Sequence, residues 1–329
     1  MNSTQKVKQD GNWEINRTDP APIVSVIIPA YNHAKYILEA LDSVLGQSFK
    51  DFEVIVVNDG SPDNTAEVLL PLRESGRIRY YEQPNGGQAS ARNHGLREAR
   101  GEYIAYLDDD DLWPADKLGW QVEILRNDPE LFVVYGKCGN VGAESICGAD
   151  IELCPTGMIY EELSKGNPIR SPGQALIRMD ALRNIGGFDV DIKGADDWDL
   201  WIRLAEKGRF EYDGRTALLY RTHDRNASSN YWTMYVNGMR VVRKHYGNVQ
   251  DSEEQKRYRL AVTWLKSSLV GVYFDRSQSL KREGRIVEAL RCILAAAVID
   301  PVRVTRRLVK ARIDKLRPES RSKRIAKPA

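Results

Sequence analysis

The chain has 329 residues, 42% hydrophobic and 29% charged, a soluble globular composition with room for one large domain or one domain and an appendage. No stretch approaches the roughly 18 to 20 uncharged apolar residues of a membrane-spanning helix. "MNSTQKVKQDGNWEINRTDP" lacks the apolar core of a secretory signal, so a cytoplasmic protein is expected.

Residues 1–21 are polar and aperiodic and read as a loose arm. Ile23–Ile28, a β-branched run stopped by Pro29, reads as a buried strand. "HAKYILEALDSVLGQSF" spaces apolar residues helically and closes near Gly46. "FEVIVVNDGSPDN" is a second strand broken by turn residues, "NTAEVLLPLRESG" a helix that Pro71 is expected to kink, and "RIRYYEQ" a third strand. A helix follows Gly87 and closes at Gly101, then come a fourth strand in "YIAYLDD", a helix in "PADKLGWQVEILRND" and a fifth strand in "LFVVYGKC". Such alternation predicts a mostly parallel, Rossmann-like α/β sheet flanked by helices, with ligands beyond the carboxyl ends of its strands.

Residues 139–170 read as loop-rich, and "PGQALIRMDALRNIGGFD" as a strand, a short helix and a turn. "GADDWDLWIRLAEKG" reads as an amphipathic helix with acids at its start, in which Trp198 and Trp201 are expected to pack the core. "TALLYRTHDRNASS" is a strand running into a polar loop, and the remainder is helical. "GRIVEALRCILAAAVIDP" has no second copy, which argues against a repeat array. Cys138, Cys147, Cys154 and Cys292 match no zinc spacing and are expected to be reduced thiols.

Four consecutive carboxylates, Asp108–Asp111, follow the fourth strand. Like charges this close persist where a cation compensates them. Mg2+ takes one or two carboxylates and completes its shell with water and phosphate oxygens, so the run suggests a metal holding a phosphorylated substrate. The competing reading is a solvated acidic turn capping the next helix. The run does not have the alternating acids of an EF-hand.

The segments "VSVIIPAYNHAKYILEALDSVLGQSFKDFEVIVVNDGSPDNT", "NGGQASARNHGLREARGEYIAYLDDDDLW" and "GADDWDLWIRLAEKG" together resemble the family-2 glycosyltransferases of the GT-A fold, over roughly residues 22–228. The resemblance implies an inverting enzyme dependent on a nucleotide-diphospho-sugar, with a UDP-sugar favoured. It divides the chain into an arm (1–21), a GT-A domain (22–230, nucleotide half about 22–135 and acceptor half about 136–230), a helical extension (231–300) and a basic tail (301–329).

The resemblance also assigns residues. Pro29, Ala30, Tyr31 and Asn32 would form the first nucleotide-contacting loop; Asp59 would meet the nucleobase, with Asn58, Gly60 and Ser61 shaping its turn; Arg92 and Asn93 would reach the base or ribose. Asp108, Asp109 and Asp110 fit the family's D-x-D pattern, Asp110 as metal ligand and Asp108 at the ribose or the metal shell, with Asp111 as a supporting acid. Because all four are Asp, a register shifted by one residue stays open. Asp196-Asp197 matches the family's acidic pair, with Asp197 as the base that takes the acceptor's proton. Asp at 196 departs from the family's usual Glu, and both acids would also suit a helix N-terminus. His223 in "YRTHDRNASS" is a candidate ligand for the metal or diphosphate, and Arg221 or Arg225 a candidate for phosphate charge. The implied cofactor is Mn2+ or Mg2+, and the implied acceptor a saccharide or lipid-linked saccharide in polysaccharide or cell-envelope assembly.

Val302–Ala329 holds eleven Lys or Arg and two Asp or Glu; this local +9 within a net +2 leaves −7 on the body. Leu308, Val309, Ile313 and Leu316 recur at helical spacing among its cations, which suits an anionic membrane surface on the inner face of the cell membrane. A solvated tail or a helix docked on the acidic body is the alternative. No nucleic-acid motif accompanies the charge. Two other functions compete with this reading. A catalytically inactive nucleotide-sugar-binding module would be expected to have lost one of the acidic motifs, and both are intact. A nucleotidyltransferase would carry a Gly-rich loop after the first strand, where this chain has "PAYNHAKY".

Overall fold

The structure is a computed structural model and describes residues 21–141, 143–146, 154–223 and 231–316. These fall into two compact units. The first draws on Met1–Met158, Ile169–Val190 and Arg203–Thr222, and the second on Ile159–Pro168, Asp191–Ile202 and His223–Ala329.

The first unit opens with the expected alternation: β1 (Val24–Ala30), α1 (Ile37–Leu45), β2 (Phe52–Asn58), α2 (Thr65–Glu74), β3 (Arg79–Glu82), α3 (Gln88–Glu98), β4 (Tyr103–Tyr106), α4 (Lys117–Asn127) and β5 (Leu131–Asn140). α2 runs on past Pro71, and α3 ends at Glu98, before Gly101. β1, β2 and β4 are buried along almost their whole length, which is why they read as continuous apolar runs and not as alternating ones. The helices pack closely on the sheet: a Cβ at Gly95 of α3 would lie 2.4 Å from Ile27 of β1.

β6 (Ala143–Ile146) follows, and later β7 (Ala175–Arg178), α6 (Met179–Asn184) and β8 (Arg209–Tyr220). The eight strands form one sheet in the order β3-β2-β1-β4-β7-β5-β6, with β8 on β5. β1/β2, β2/β3, β1/β4 and β5/β8 are parallel; β4/β7, β5/β7 and β5/β6 are antiparallel. The mostly parallel expectation therefore holds, with one addition. β7 enters antiparallel between β4 and β5, which simple winding would have made neighbours. It is held there from the α4 side: Trp113 Nε1 donates to Gly173 O (2.9 Å), Gln121 Nε2 to Gln174 O (2.9 Å) and Lys117 Nζ to Ala175 O (3.3 Å).

A buried carboxylate ties the other half of the sheet. Glu53 of β2 accepts from Ser25 Oγ of β1 (2.7 Å), Arg79 of β3 (2.8 Å) and both the backbone N–H (2.9 Å) and Nε (3.0 Å) of Arg100, in the turn before β4. Burial pushes its pKa up, but these donors together hold it below the ordinary glutamate value.

In the second unit, α5 (Tyr160–Leu163) and the opening residues of α7 (Asp196–Ala205) accompany α8 (Tyr231–Tyr246), α9 (Ser252–Arg282), α10 (Ile286–Ile299) and α11 (Pro301–Leu316). Trp198 donates to Leu163 O (3.1 Å) and meets the Trp264 ring edge-on at 4.9 Å. Trp198 and Trp201 are 2% and 0% exposed, in keeping with a packing role. α9 starts on Asp251, whose side chain accepts from Glu254 N, and ends before Gly284 at φ +79.

Candidate functional site

The loops leaving β1, β2 and β4 are laced together by carboxylates. Asp109 spans two of them: Oδ2 accepts from Tyr31 N (2.8 Å) and Oδ1 pairs with His33 Nδ1 (2.7 Å). Asp63 accepts from Ala34 N (3.0 Å), and Ser61 Oγ accepts from Asn32 N (3.2 Å) while donating to Ala30 O (3.3 Å). Asn32 takes φ +59, the left-handed region that Asn tolerates better than most residues. Of the four residues expected in the first loop, Tyr31 and Asn32 reach the surface. Pro29 and Ala30 are the last residues of β1 with side chains buried in the sheet, which leaves their backbone for any ligand contact.

Asp59 directly follows β2. It is 3% exposed, and its carboxylate is already engaged: Oδ1 accepts from Gln83 Nε2 (2.7 Å) and Gly86 N (2.8 Å), Oδ2 from Gly87 N (2.8 Å). Its visible work is to hold the loop before α3 against the end of β2. Gly60 turns there at φ +67, where a Cβ would crowd Asn85 N at 3.0 Å. Asn93 is likewise engaged within the protein. Its amide donates to Phe188 O (2.8 Å) and accepts from Phe188 N (2.8 Å), bracketing the backbone after Gly186-Gly187. Arg92 is 2% exposed, lies over the Phe188 ring at 5.1 Å, and donates to Asp108 Oδ1 at 2.6 Å.

The aspartate run is therefore not a solvated turn. Asp109, Asp110 and Asp111 are 6%, 7% and 0% exposed. Asp108 is held by Arg92 and by Ser171 Oγ (3.4 Å). Leu112 just beyond exchanges backbone hydrogen bonds with Leu219 of β8 (3.1 and 2.8 Å), pinning the run's far end. Arg221 closes the cluster: its N–H donates to Asp111 Oδ1 (2.8 Å), its Nε to Asp110 O (2.9 Å) and its Nη2 to Glu39 (2.7 Å). Arg221, expected at phosphate, thus braces the acids.

Burial and neighbouring like charge both disfavour ionisation within the run. Burial pushes the Asp109 carboxyl up to about 6, against the opposing pull of His33. The hydrogen bond to Asp109 outweighs burial and raises His33. Asp111 is driven well above the usual range by burial, then by Asp108 and Asp110. Among the described residues, Asp111 Oδ2 is buried without a hydrogen-bond partner. An orphaned carboxylate oxygen in a buried acidic cluster, with His33 Nδ1 3.9 Å from Asp110 Oδ2, is a donor set of the hard-oxygen and imidazole kind that fits Mn2+ or Mg2+. His33 was missed at the sequence level, although it directly follows the "PAYN" loop.

Asp196, Asp197 and His223 belong to the second unit. Asp196 is buried at 1% exposure. Asp197 is half-buried; its Oδ1 accepts from Trp198 N (2.7 Å) and its Oδ2 from Asn167 Nδ2 (3.3 Å). One turn on, buried Asp199 pairs with His245 Nε2 (2.7 Å) and Lys244 Nζ (2.8 Å), anchoring α7 to α8. Arg225 lies outside the described residues.

A parallel α/β sheet whose strand ends carry a metal-competent acidic run is the architecture of GT-A glycosyltransferases, and solved structures agree in fold. A mannosyltransferase from Pyrobaculum calidifontis, solved with GDP-Man and Mn2+, is 23% identical, covers 91% of this chain and 82% of its own, and superposes with TM-score 0.59. Residues 1–349 of TarS from S. aureus, solved with UDP-GlcNAc, are 21% identical, cover 85% of this chain and 83% of their own, with TM-score 0.59. Residues 25–186, about half of the chain, match the family described as Glycosyl transferase family 2. The chondroitin synthase of Pasteurella multocida is 32% identical over 252 residues, 72% of this chain and 26% of that protein. The chain spans 65% or less of the length of the first curated relatives it matches.

Proposed function

We propose that this chain is an inverting glycosyltransferase that moves a sugar from a nucleotide-diphospho-sugar, a UDP-sugar by preference, to a hydroxyl of a saccharide or lipid-linked saccharide. The observation that carries the reading is the buried acidic cluster at the joined ends of β1, β2 and β4, in which Asp111 Oδ2 has no hydrogen-bond partner among the described residues. Asp110 and Asp108 are the proposed metal ligands, with His33 beside them and His223 as a further candidate. A bound divalent ion would offset charge on the donor's diphosphate. Tyr31 and Asn32 would face the nucleotide. Arg92 would set the position of Asp108, and Asp59 would set the loop against which the base lies.

Asp197 is the proposed base. It takes the proton from the acceptor hydroxyl as that oxygen bonds to the anomeric carbon; the bond from that carbon to the diphosphate oxygen breaks, and the electron pair leaves with the nucleoside diphosphate. One displacement from the opposite face inverts the centre. Half-burial keeps Asp197 reachable, and Asn167 fixes one of its oxygens. The named activity of the Pasteurella relative supports a saccharide acceptor in polysaccharide assembly. The two solved neighbours carry different nucleotides, UDP and GDP, so the base preference rests on the resemblance around Asp59. We place the enzyme in the cytoplasm, on the inner face of the cell membrane through its basic end. The proposed division of labour gives donor binding to about 22–135, acceptor binding to about 136–230, and attachment to the helices beyond.

Calorimetric titration with UDP, GDP and dTDP, each with and without Mn2+, tests this reading. Metal-dependent binding of one nucleotide is expected. A folded protein that binds none of the three under either condition would refute the donor site.

A further inference from the structure

The last two helices carry a surface that no catalytic role uses. On α10, Ala289 and Ala296 are buried, and the opposite side exposes Val287 (66%), Leu290 (54%), Leu294 (67%) and Val298 (71%) at three- and four-residue spacing. A surface helix ordinarily turns charged and polar residues to water, yet α10 has only Glu288 and Arg291 as charges.

 On α11, Val304 is buried, while Val302 (59%), Val309 (52%) and Ile313 (49%) project from the other side. Arg312 flanks this second stripe on one edge, and Arg306 and Lys310 flank it on the other. All three cations are exposed, and none has an acidic partner among the described residues. Two consecutive amphipathic helices thus show aliphatic side chains to water, the second of them rimmed by unpaired positive charge.

We propose that α10 and α11 form a docking surface for an anionic lipid bilayer, with the aliphatic stripes entering the headgroup boundary and the α11 cations meeting lipid phosphates. Charge chooses the occupant. Pro301–Leu316 carries six Lys or Arg and one Asp, and a second copy of this chain would bring the same charge to the same face. An anionic bilayer offers both the apolar medium and the opposite sign. No helix among the described residues is long and apolar enough to cross a membrane, so the contact is one of lying on the surface. The inference deepens the membrane part of the proposed function by adding α10, and it does not depend on the catalytic roles.

Flotation of the full chain with phosphatidylcholine vesicles, with and without phosphatidylglycerol, tests it without donor or acceptor. Binding is expected only to the anionic vesicles, and it should weaken as salt rises. The triple variant Leu290→Asp/Leu294→Asp/Val298→Asp alters only exposed positions and should bind at least about tenfold more weakly. Arg306→Glu/Lys310→Glu/Arg312→Glu should lose about a hundredfold or more in affinity. Wild-type protein that stays off anionic vesicles would overturn the proposal. So would unchanged binding by the α10 variant, or a wild-type dimer in sedimentation that the α10 variant converts to monomer. Nucleotide titration of the same variants keeps the two readings apart: intact metal-dependent donor binding with lost flotation concerns the surface alone, and the reverse concerns the donor site alone.

Discussion

Asp110 and Asp197 carry separable parts of the proposed chemistry, and substitution tells them apart. Asp110→Asn keeps the shape of the buried cluster and removes one negative charge, so Mn2+-dependent nucleotide binding should fall at least about tenfold in calorimetry. Asp197→Asn should leave that binding intact and lower kcat by about a thousandfold, since an amide cannot accept the acceptor's proton. Near-normal turnover by Asp197→Asn would remove it as the base. Asp109 is a different case. Both its oxygens are committed, to Tyr31 N and His33, so its loss should loosen the first loop and the metal site together. Four adjacent aspartates look equivalent in a sequence; their hydrogen-bond partners make them different residues.

At the scale of elements, Glu53 joins β1, β2, β3 and the turn into β4 through one carboxylate. Its pKa is held below the ordinary value, so its contribution to stability is present above the unfolded-state pKa and is lost as pH falls through the folded one. Glu53→Gln should cost about 2 kcal/mol at neutral pH, a figure kept modest because Arg79 and Arg100 are partly exposed. Its urea midpoint should converge on that of the wild type only in acid below the ordinary glutamate range, as pH falls through the depressed folded-state pKa and the wild-type carboxylate takes up its proton. The Gly186-Gly187 turn offers a second test. Both residues have positive φ, but a Cβ at Gly187 would sit 2.5 Å from Asn93 Oδ1, while one at Gly186 meets nothing within 4 Å. Gly186→Ala should cost about 1 kcal/mol for backbone strain alone. Gly187→Ala should cost about 3 kcal/mol by also breaking the Asn93–Phe188 bracket. Equal costs in urea unfolding would contradict this account of the turn.

For the whole molecule, a ligand that binds only the folded state raises its stability by mass action. A nucleotide with Mn2+ at a hundred times its Kd should add about 2.7 kcal/mol and raise Tm. Asp197→Asn should keep the full shift and Asp110→Asn should lose most of it. If the wild type showed no shift with any of the three nucleotides plus Mn2+, the acidic cluster would not be a donor site.

Much of this protein was legible from residue order. β1 to β5 and α1 to α4 were readable because buried strands and amphipathic helices repeat hydrophobicity at periods that short windows reveal. The acidic motifs were readable because their residue types and spacing are local. What lay beyond reach depended on contacts between segments far apart in the chain. β7 enters between β4 and β5 because Trp113 and the α4 side chains Lys117 and Gln121 bond its first residue and the segment that leads into it, across more than fifty residues. Asp59 and Asn93 turned inward because the donors and acceptors that satisfy them come from other loops. His33 acquired its place from Asp109, 76 residues away. Periodicity and motif report what each segment is suited to do; burial and hydrogen-bond satisfaction, which exist only once the segments meet, select which of the suited residues face a ligand and which hold the loops in place.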